Sequence, residues 1–208
     1  MLTVVDHPLI KTKLSIMRDE TTKAKEFRES LDEIASLMTF EVFKDIQVYD
    51  SADTIKTPTG ITLPKKKLAN KIIIAPILRA GLGMVDGVRK MIPTARIGHI
   101  GMYRNEETLE PVEYYFKLPV VDNPLVLICD PMLATGGSAV AAITAVKKRG
   151  YKNIRLMCLV GVKEGIEAVE KAHPDVDMYI AAVDEKLNEV GYILPGLGDA
   201  GDRIFGTK

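Results

Sequence analysis

The stretch Leu125-Val126-Leu127-Ile128-Cys129-Asp130-Pro131-Met132-Leu133-Ala134-Thr135-Gly136-Gly137-Ser138 decides how the chain folds. Residues 125–129 are apolar without a break, which predicts a strand covered on both faces. Asp130 follows at the strand's C-terminal end, where an open α/β sheet places its ligand. Pro131 has no amide hydrogen and is expected to end the ladder. Gly136 and Gly137 let the backbone fold closely about a ligand. After Ser138, the apolar residues Val140, Ile143 and Val146 recur at helical spacing. Strand, acid, small-residue loop and helix start together describe an anion site. The free amides of the helix start face the anion, and Thr135 and Ser138 add hydroxyl donors. The same residues also suit a plain tight turn of an α/β protein. Asp130 tips the balance, because a carboxylate beside a phosphate cradle needs hydroxyls or a cation between them. A sugar phosphate supplies hydroxyls, and bound magnesium supplies charge. A P-loop is a poor match, since no Gly-Lys-Ser/Thr follows the glycines.

Outward from this stretch, apolar runs alternate with helical patterns. Upstream, Ile72 to Ile77 is a second buried strand, and it runs into Leu78-Arg79-Ala80-Gly81-Leu82-Gly83. A bare arginine beside two glycines at a strand end suggests another anion loop; the alternative is a surface arginine paired with an acid. Met84, Val88 and Met91 then mark one face of a helix. Arg96 to Tyr103 reads as the next strand. Residues 104–111 are polar, and Val112 to Leu118 reads as the return arm of a long hairpin. His99 lies among apolar residues with no ligand-spaced cysteine or histidine, so it reads as a core or edge residue and not as a metal ligand. Downstream, Arg149-Gly150 ends the central helix with basic charge and a glycine. Ile154 to Val162 is a strand, Glu164 to Ala172 an amphipathic helix, and Met178 to Val183 a strand. This order means a mostly parallel sheet, whose C-terminal edge collects Arg79, Arg104 and Asp130.

Before the first long strand, Asp6-His7-Pro8 starts a helix, and a second helix is expected over Thr22 to Thr39. This pair needs a surface to cover, either the sheet or another subunit. Ile46 to Tyr49 alternates like a strand. Ile55-Lys56-Thr57 and Ile61-Thr62-Leu63 form a plausible hairpin about Pro58-Thr59-Gly60. Lys65-Lys66-Lys67 is expected to be a solvated turn.

The 208 residues suit a single domain, with Lys plus Arg and Asp plus Glu balanced at 28 each. Zero net charge gives no case for a general nucleic-acid or membrane-binding surface. Cys129 and Cys158 lie in apolar runs and read as core thiols of a reducing compartment. With no basic-then-apolar leader and no apolar run of spanning length, a cytoplasmic protein is expected.

The tail, Gly196-Leu197-Gly198-Asp199-Ala200-Gly201, satisfies the three-glycine dinucleotide pattern out of context. No βαβ unit follows it, and Asp199 and Asp202 would repel a diphosphate.

The run Asp130 to Ser138 resembles the phosphoribosyl-diphosphate motif of uracil phosphoribosyltransferases, within the type I phosphoribosyltransferase class. The wider class more often shows two adjacent acids here; Cys129-Asp130 is similar to the uracil branch. Leu78 to Gly83 resembles that family's diphosphate-contacting loop, and Tyr192 to Arg203 its uracil-binding segment. The resemblance covers nearly the whole chain. It implies one domain, residues 1–208, of the type I fold. Residues 1–45 form an N-terminal helical region, 103–118 a hairpin arm, and 192–203 a base-binding segment.

By resemblance, phosphoribosyl diphosphate (PRPP) is bound by Arg79, Arg104, Asp130, Pro131, Met132, Leu133, Ala134, Thr135, Gly136, Gly137, Ser138 and Asp199. Uracil is bound by Ile193, Gly198, Asp199 and Ala200. Asp130, Arg79 and Arg104 act in catalysis, and magnesium is carried mainly by the diphosphate, ribose hydroxyls and water. A homodimer or higher oligomer and activation by GTP are also implied, though no residue identifies a GTP site. Physically, a glycine-rich loop exposes amides and carbonyls, and uracil offers two carbonyl acceptors about one N–H donor. Cytosine reverses two of the three, so such a site discriminates. No residue stands out as a covalent nucleophile or as the base that deprotonates uracil N1. Two other readings stay open: a purine or orotate phosphoribosyltransferase with a different tail, and an RNA-binding regulator on the same fold.

Overall fold

A computed structural model describes residues 1–104 and 111–207, with the Arg104 side chain outside the description. The chain opens with β1 (Leu2–Val4), α1 (Pro8–Arg18) and α2 (Ala24–Val42). An antiparallel hairpin follows, β2 (Val48–Lys56) and β3 (Thr62–Leu68), and then β4 (Ile72–Leu78), α3 (Leu82–Met91), β5 (Arg96–Ile97), β6 (His99–Arg104) and β7 (Pro111–Lys117). The central stretch forms β8 (Leu125–Leu133) and α4 (Gly137–Lys148). After it come β9 (Asn153–Val162), α5 (Lys163–Ala172), β10 (Asp177–Asp184), β11 (Lys186–Leu187), β12 (Ile193–Leu194) and α6 (Ala200–Phe205).

The main sheet runs β1-β10-β9-β8-β4-β6-β7, with β5 also paired to β4. It is parallel except for the β6–β7 pair. Successive residues of its strands go to opposite faces. Ile72, Ile74, Leu125, Leu127, Cys129, Met157 and Leu159 pack with α1, α2, α3 and α6. Ile73, Ala75, Val126, Ile128, Leu156 and Cys158 pack with α4 and α5. The unbroken apolar runs follow from this cover on both faces. It also puts the two free, buried cysteines in different layers. The N-terminal helices cover the sheet of their own chain, with Phe27, Leu31, Ile34 and Met38 fully buried.

Adjacent strands β4 and β8 send their following helices to opposite faces, α3 to one and α4 to the other. The crevice of an open α/β sheet lies at such a switch point, beyond the C-terminal strand ends. Among the described residues, no helix is long and apolar enough to cross a membrane.

Several sequence expectations need correcting. Pro131 does not end its strand, because β8 continues to Leu133, opposite Gly161 of β9. Pairing with β4 stops at Pro76 opposite Cys129, so Pro131 lies where β8 has become an edge on that side. An edge tolerates a residue without an amide hydrogen. Lys65-Lys66-Lys67 lies in β3 and not in a turn; Lys66 and Lys67 pair across the hairpin with Asp50 and Asp53. The strand expected over Arg96 to Tyr103 is broken at Gly98 into β5 and β6. The second helix runs from Ala24 to Val42 instead of Thr22 to Thr39. The N-terminal strand β1, beside β10, was not foreseen.

Candidate active site

The loops leaving β4 and β8 meet at the crevice, and the tail folds back over it. Arg79 follows β4 directly across a cis peptide bond. Its side chain is 57% exposed, lies 3.5 Å from an Asp202 carboxylate oxygen, and faces the Phe205 ring at 5.8 Å. The arginine thus pairs with an acid, and that acid belongs to the tail. Arg104 ends β6, the strand beside β4, and its side chain lies outside the described residues. The polar arm tip, 105–110, also lies outside them.

Asp130 lies within β8, opposite Cys158. Its Oδ1 accepts a hydrogen bond from the Met132 amide at 3.3 Å. That bond favours the carboxylate, but burial outweighs it and pushes the group up to about 7 from its ordinary 3.8. Burial also pushes the thiols of Cys129 and Cys158 upward, with the Asp130 charge adding to the effect, so neither is a ready nucleophile.

Ala134 and Thr135 turn the chain out of β8, and Gly136 caps α4 in the left-handed region at φ +81°. A side chain there would also collide with α5, since a Cβ would lie 2.8 Å from the Gly165 carbonyl oxygen. Glycine is thus required twice, for conformation and for space. No side chain caps α4. The amides of Gly137, Ser138 and Ala139 are therefore free of helix partners and available to an anion. Thr135 is exposed and Ser138 half-buried.

The tail supplies the other wall. Asp199 is the N-cap of α6, and its Oδ1 accepts from the Asp202 amide at 2.9 Å. The glycine pattern of the tail thus opens a short helix capped by an acid. A cleft of about 290 Å³ is lined by Arg79, Ala80, Met132, Asp199, Ala200 and Gly201, together with Val190, Gly191 and Tyr192. The structure brings Arg79, Met132, Asp199 and Ala200 onto one cavity. Asp130 lies two residues before Met132 on the same strand. Ile193 does not line the cleft, because its side chain is packed in the core. Gly198 is exposed beside it. Tyr192 begins the segment expected to bind the base, whereas Val190 and Gly191, just before it, were not expected to line the cleft. Their signal was only the glycine-containing turn between two short strands. Among the described residues, no three His, Cys, Asp or Glu side chains form a group that could hold a metal.

A sequence model of the family described as "Uracil phosphoribosyltransferase" matches residues 4–207. The "Uracil phosphoribosyltransferase" of Halalkalibacterium halodurans is 59% identical over 206 residues, covering 99% of this chain and 98% of the relative. A solved protein of Aquifex aeolicus, AQ2163, superposes with a TM-score of 0.93 at 36% identity, covering 100% of this chain and 99% of its own. A hypoxanthine phosphoribosyltransferase from Staphylococcus aureus shares the fold alone, with a TM-score of 0.53 at 15% identity over 77% of this chain and 76% of its own. With a mostly parallel sheet and a family match spanning nearly every residue, the chain belongs to the uracil phosphoribosyltransferase family.

Proposed function

We propose a division of labour for the family's reaction among residues of this chain. The enzyme transfers the 5-phosphoribosyl group of PRPP to N1 of uracil, giving UMP and diphosphate. The carrying observation is the shared cleft, with Arg79 on one wall and the tail residues Asp199, Ala200 and Gly201 on the other.

The loop 134–138 and the first amides of α4 take the 5'-phosphate. This contact is remote from the reacting carbon, so its binding energy positions C1. Asp130 accepts hydrogen bonds from the ribose hydroxyls. As C1 loses its bond to diphosphate, positive charge builds on the ring, and an ionised Asp130 favours it. Arg79 and Arg104 receive the departing diphosphate. Magnesium, when bound, neutralises diphosphate charge. The donor set fits it: one carboxylate beside substrate oxygens and water is a usual magnesium environment, and a protein cage is not needed. Backbone groups from Ile193 to Ala200 read the uracil edge, and Asp199 lies between base and sugar.

The test supplies PRPP, magnesium and each nucleobase in turn and follows nucleotide formation. UMP from uracil alone is expected. A purine nucleotide or orotidylate as the main product would sink the base assignment. Arg79→Lys provides a second check. Lysine keeps the charge but loses the two-pronged geometry. The PRPP KM is expected to rise on the order of tenfold while the uracil KM stays within about twofold. Equal rises in both would remove Arg79 from the diphosphate.

The β2–β3 hairpin is read as a self-association arm, because Val48, Tyr49, Ile55, Ile61 and Leu63 are all exposed on it. A dimer or larger species in sedimentation is expected. GTP added to the same assay checks activation. The buried free thiols suit a reducing cytoplasmic setting.

A further inference from the structure

Two backbone groups of one glycine are held by the two partners of one ion pair. Arg18 is the last residue of α1, and Asp184 is the last of β10. They meet in the two-pronged arrangement, with Arg18 Nη1 donating to Asp184 Oδ2 at 2.8 Å and Nη2 to Oδ1 at 2.5 Å. The pair is well covered, with side chains 25% and 5% exposed. The Gly196 amide donates to Asp184 Oδ2 at 2.9 Å, and the Gly196 carbonyl accepts from Arg18 Nη1 at 2.6 Å. Both hydrogen-bonding groups of Gly196 are thus fixed by charged partners, which form shorter and stronger bonds than neutral ones.

A second arginine repeats the device one residue on. Arg203 of α6 donates to the Leu197 carbonyl at 2.8 Å, to the Asp19 carbonyl at 2.6 Å and to the Met17 carbonyl. The end of α1 and the chain just after it are therefore tied to residues 196 and 197 from two sides. Gly196 folds so tightly that a Cβ would lie 2.1 Å from the Ile193 carbonyl oxygen. These ties commit the polar groups of the loop's middle to protein partners. The Asp199 carbonyl is likewise taken, by the Arg203 amide at 3.0 Å, so among the described residues the flanking groups of Ile193 and Gly198 and the Ala200 amide are the ones left to a ligand.

We propose that Arg18 and Asp184 are positioning residues for base recognition: by clamping Gly196 they set the spacing between the two backbone segments that read uracil. This inference rests on the assignment of residues 193–200 to the base. Neither side chain lines the cleft, so they act through the loop. A misplacement of about 1 Å in a site that reads its ligand by backbone groups costs substantial binding.

The experiment uses the full chain and measures separate KM values for uracil and PRPP, kcat, and melting temperature for Arg18→Lys, Arg18→Met and Asp184→Asn. Arg18→Lys is the more conservative, so it keeps the test alive if Arg18→Met fails to fold. The uracil KM is expected to rise about tenfold in Arg18→Lys and more in Arg18→Met. The PRPP KM should stay within twofold, with kcat at saturating uracil largely kept. Activity with cytosine relative to uracil should rise. A uracil KM within twofold of the parent in Arg18→Lys, or equal rises in both KM values, overturns the proposal, since a merely structural role has no reason to select one substrate. Gly198→Val is measured alongside. If it raises the uracil KM while Arg18→Lys does not, the clamp alone fails; if neither variant moves it, the base assignment of the loop fails.

Discussion

Asp130→Asn is expected to lower turnover at saturating substrates by roughly a hundredfold and, at the same time, to raise the melting temperature of the free enzyme above pH 7. The two effects share one cause. Burial holds the Asp130 carboxyl at about 7 in the folded chain, against 3.8 for the ordinary group. Between those values the unfolded chain has released the proton and the folded chain still holds it. Folding stability from this group therefore falls as pH rises from about 4 to about 7 and stays reduced above. Asparagine cannot ionise, so it escapes this penalty. Its gain over aspartate should be largest above pH 7 and vanish near pH 4. A melting curve taken across that range checks the sign.

On the role proposed for Asp130, the same ionisation governs the reaction, because only the charged carboxylate favours positive charge on the ribose ring. In the parent enzyme, kcat/KM for PRPP is expected to rise with pH through about 7, because this ratio reports the free enzyme. Asparagine keeps the shape and removes that limb. PRPP ionises identically in both assays, so the ratio of the two profiles isolates Asp130. Turnover within twofold of the parent would remove Asp130 from its role.

The sequence marked this position as a candidate, a lone acid at the end of an apolar run before a small-residue loop. Its half-buried surroundings were invisible, because the atoms packed around it arrive from separate segments. The sheet was equally legible where an apolar run is long, as in Ile72 to Ile77. Leu2–Val4 is too short to declare a strand, and its partner Met178–Ile180 lies at the other end of the chain. Lys65 to Lys67 misled because charge in sequence says nothing of the acids opposite; a β-hairpin supplied Asp50 and Asp53. Arg155 interrupts the apolar run of β9, yet it is 7% exposed. It is satisfied by a two-pronged bond to Asp45, by the Val42 carbonyl at the end of α2, and by the Tyr179 ring. The Arg18–Asp184–Gly196 clamp joins three distant segments, and no local pattern announces such a contact. Local motifs reveal which groups do chemistry. What holds those groups in place comes from elsewhere in the chain.

Gly198→Val should have its large effect on uracil and little on PRPP. Gly198 sits at φ +77°, in the left-handed region, where a branched side chain is strongly disfavoured. Space is not the obstacle: a Cβ there would meet only the Arg203 Cδ at 3.6 Å, an ordinary contact. Backbone conformation is therefore the effect the free enzyme itself displays. The strain has few outlets. Leu197 and Ala200 on either side are each 2% exposed and packed in the core. Leu197 is also held through its carbonyl by Arg203. A changed φ at 198 must therefore be absorbed at Gly198 and Asp199, which are exposed and are among the groups assigned to the base. The uracil KM is expected to rise by on the order of a hundredfold, since several directed hydrogen bonds are misaligned together. The PRPP KM should move less than about threefold, because the loop 134–138 lies on β8 and α4. Gly198→Ala should fall between parent and valine, as alanine pays only about 1–2 kcal/mol for a left-handed backbone. Ile193→Val is the control. It trims a buried side chain at a cost of about 1 kcal/mol in stability and leaves every backbone group in place, so the uracil KM should stay within twofold. A crystal structure with uracil bound decides the matter directly. A base held chiefly by side chains outside residues 193–200 would defeat the assignment even in an enzyme that makes UMP.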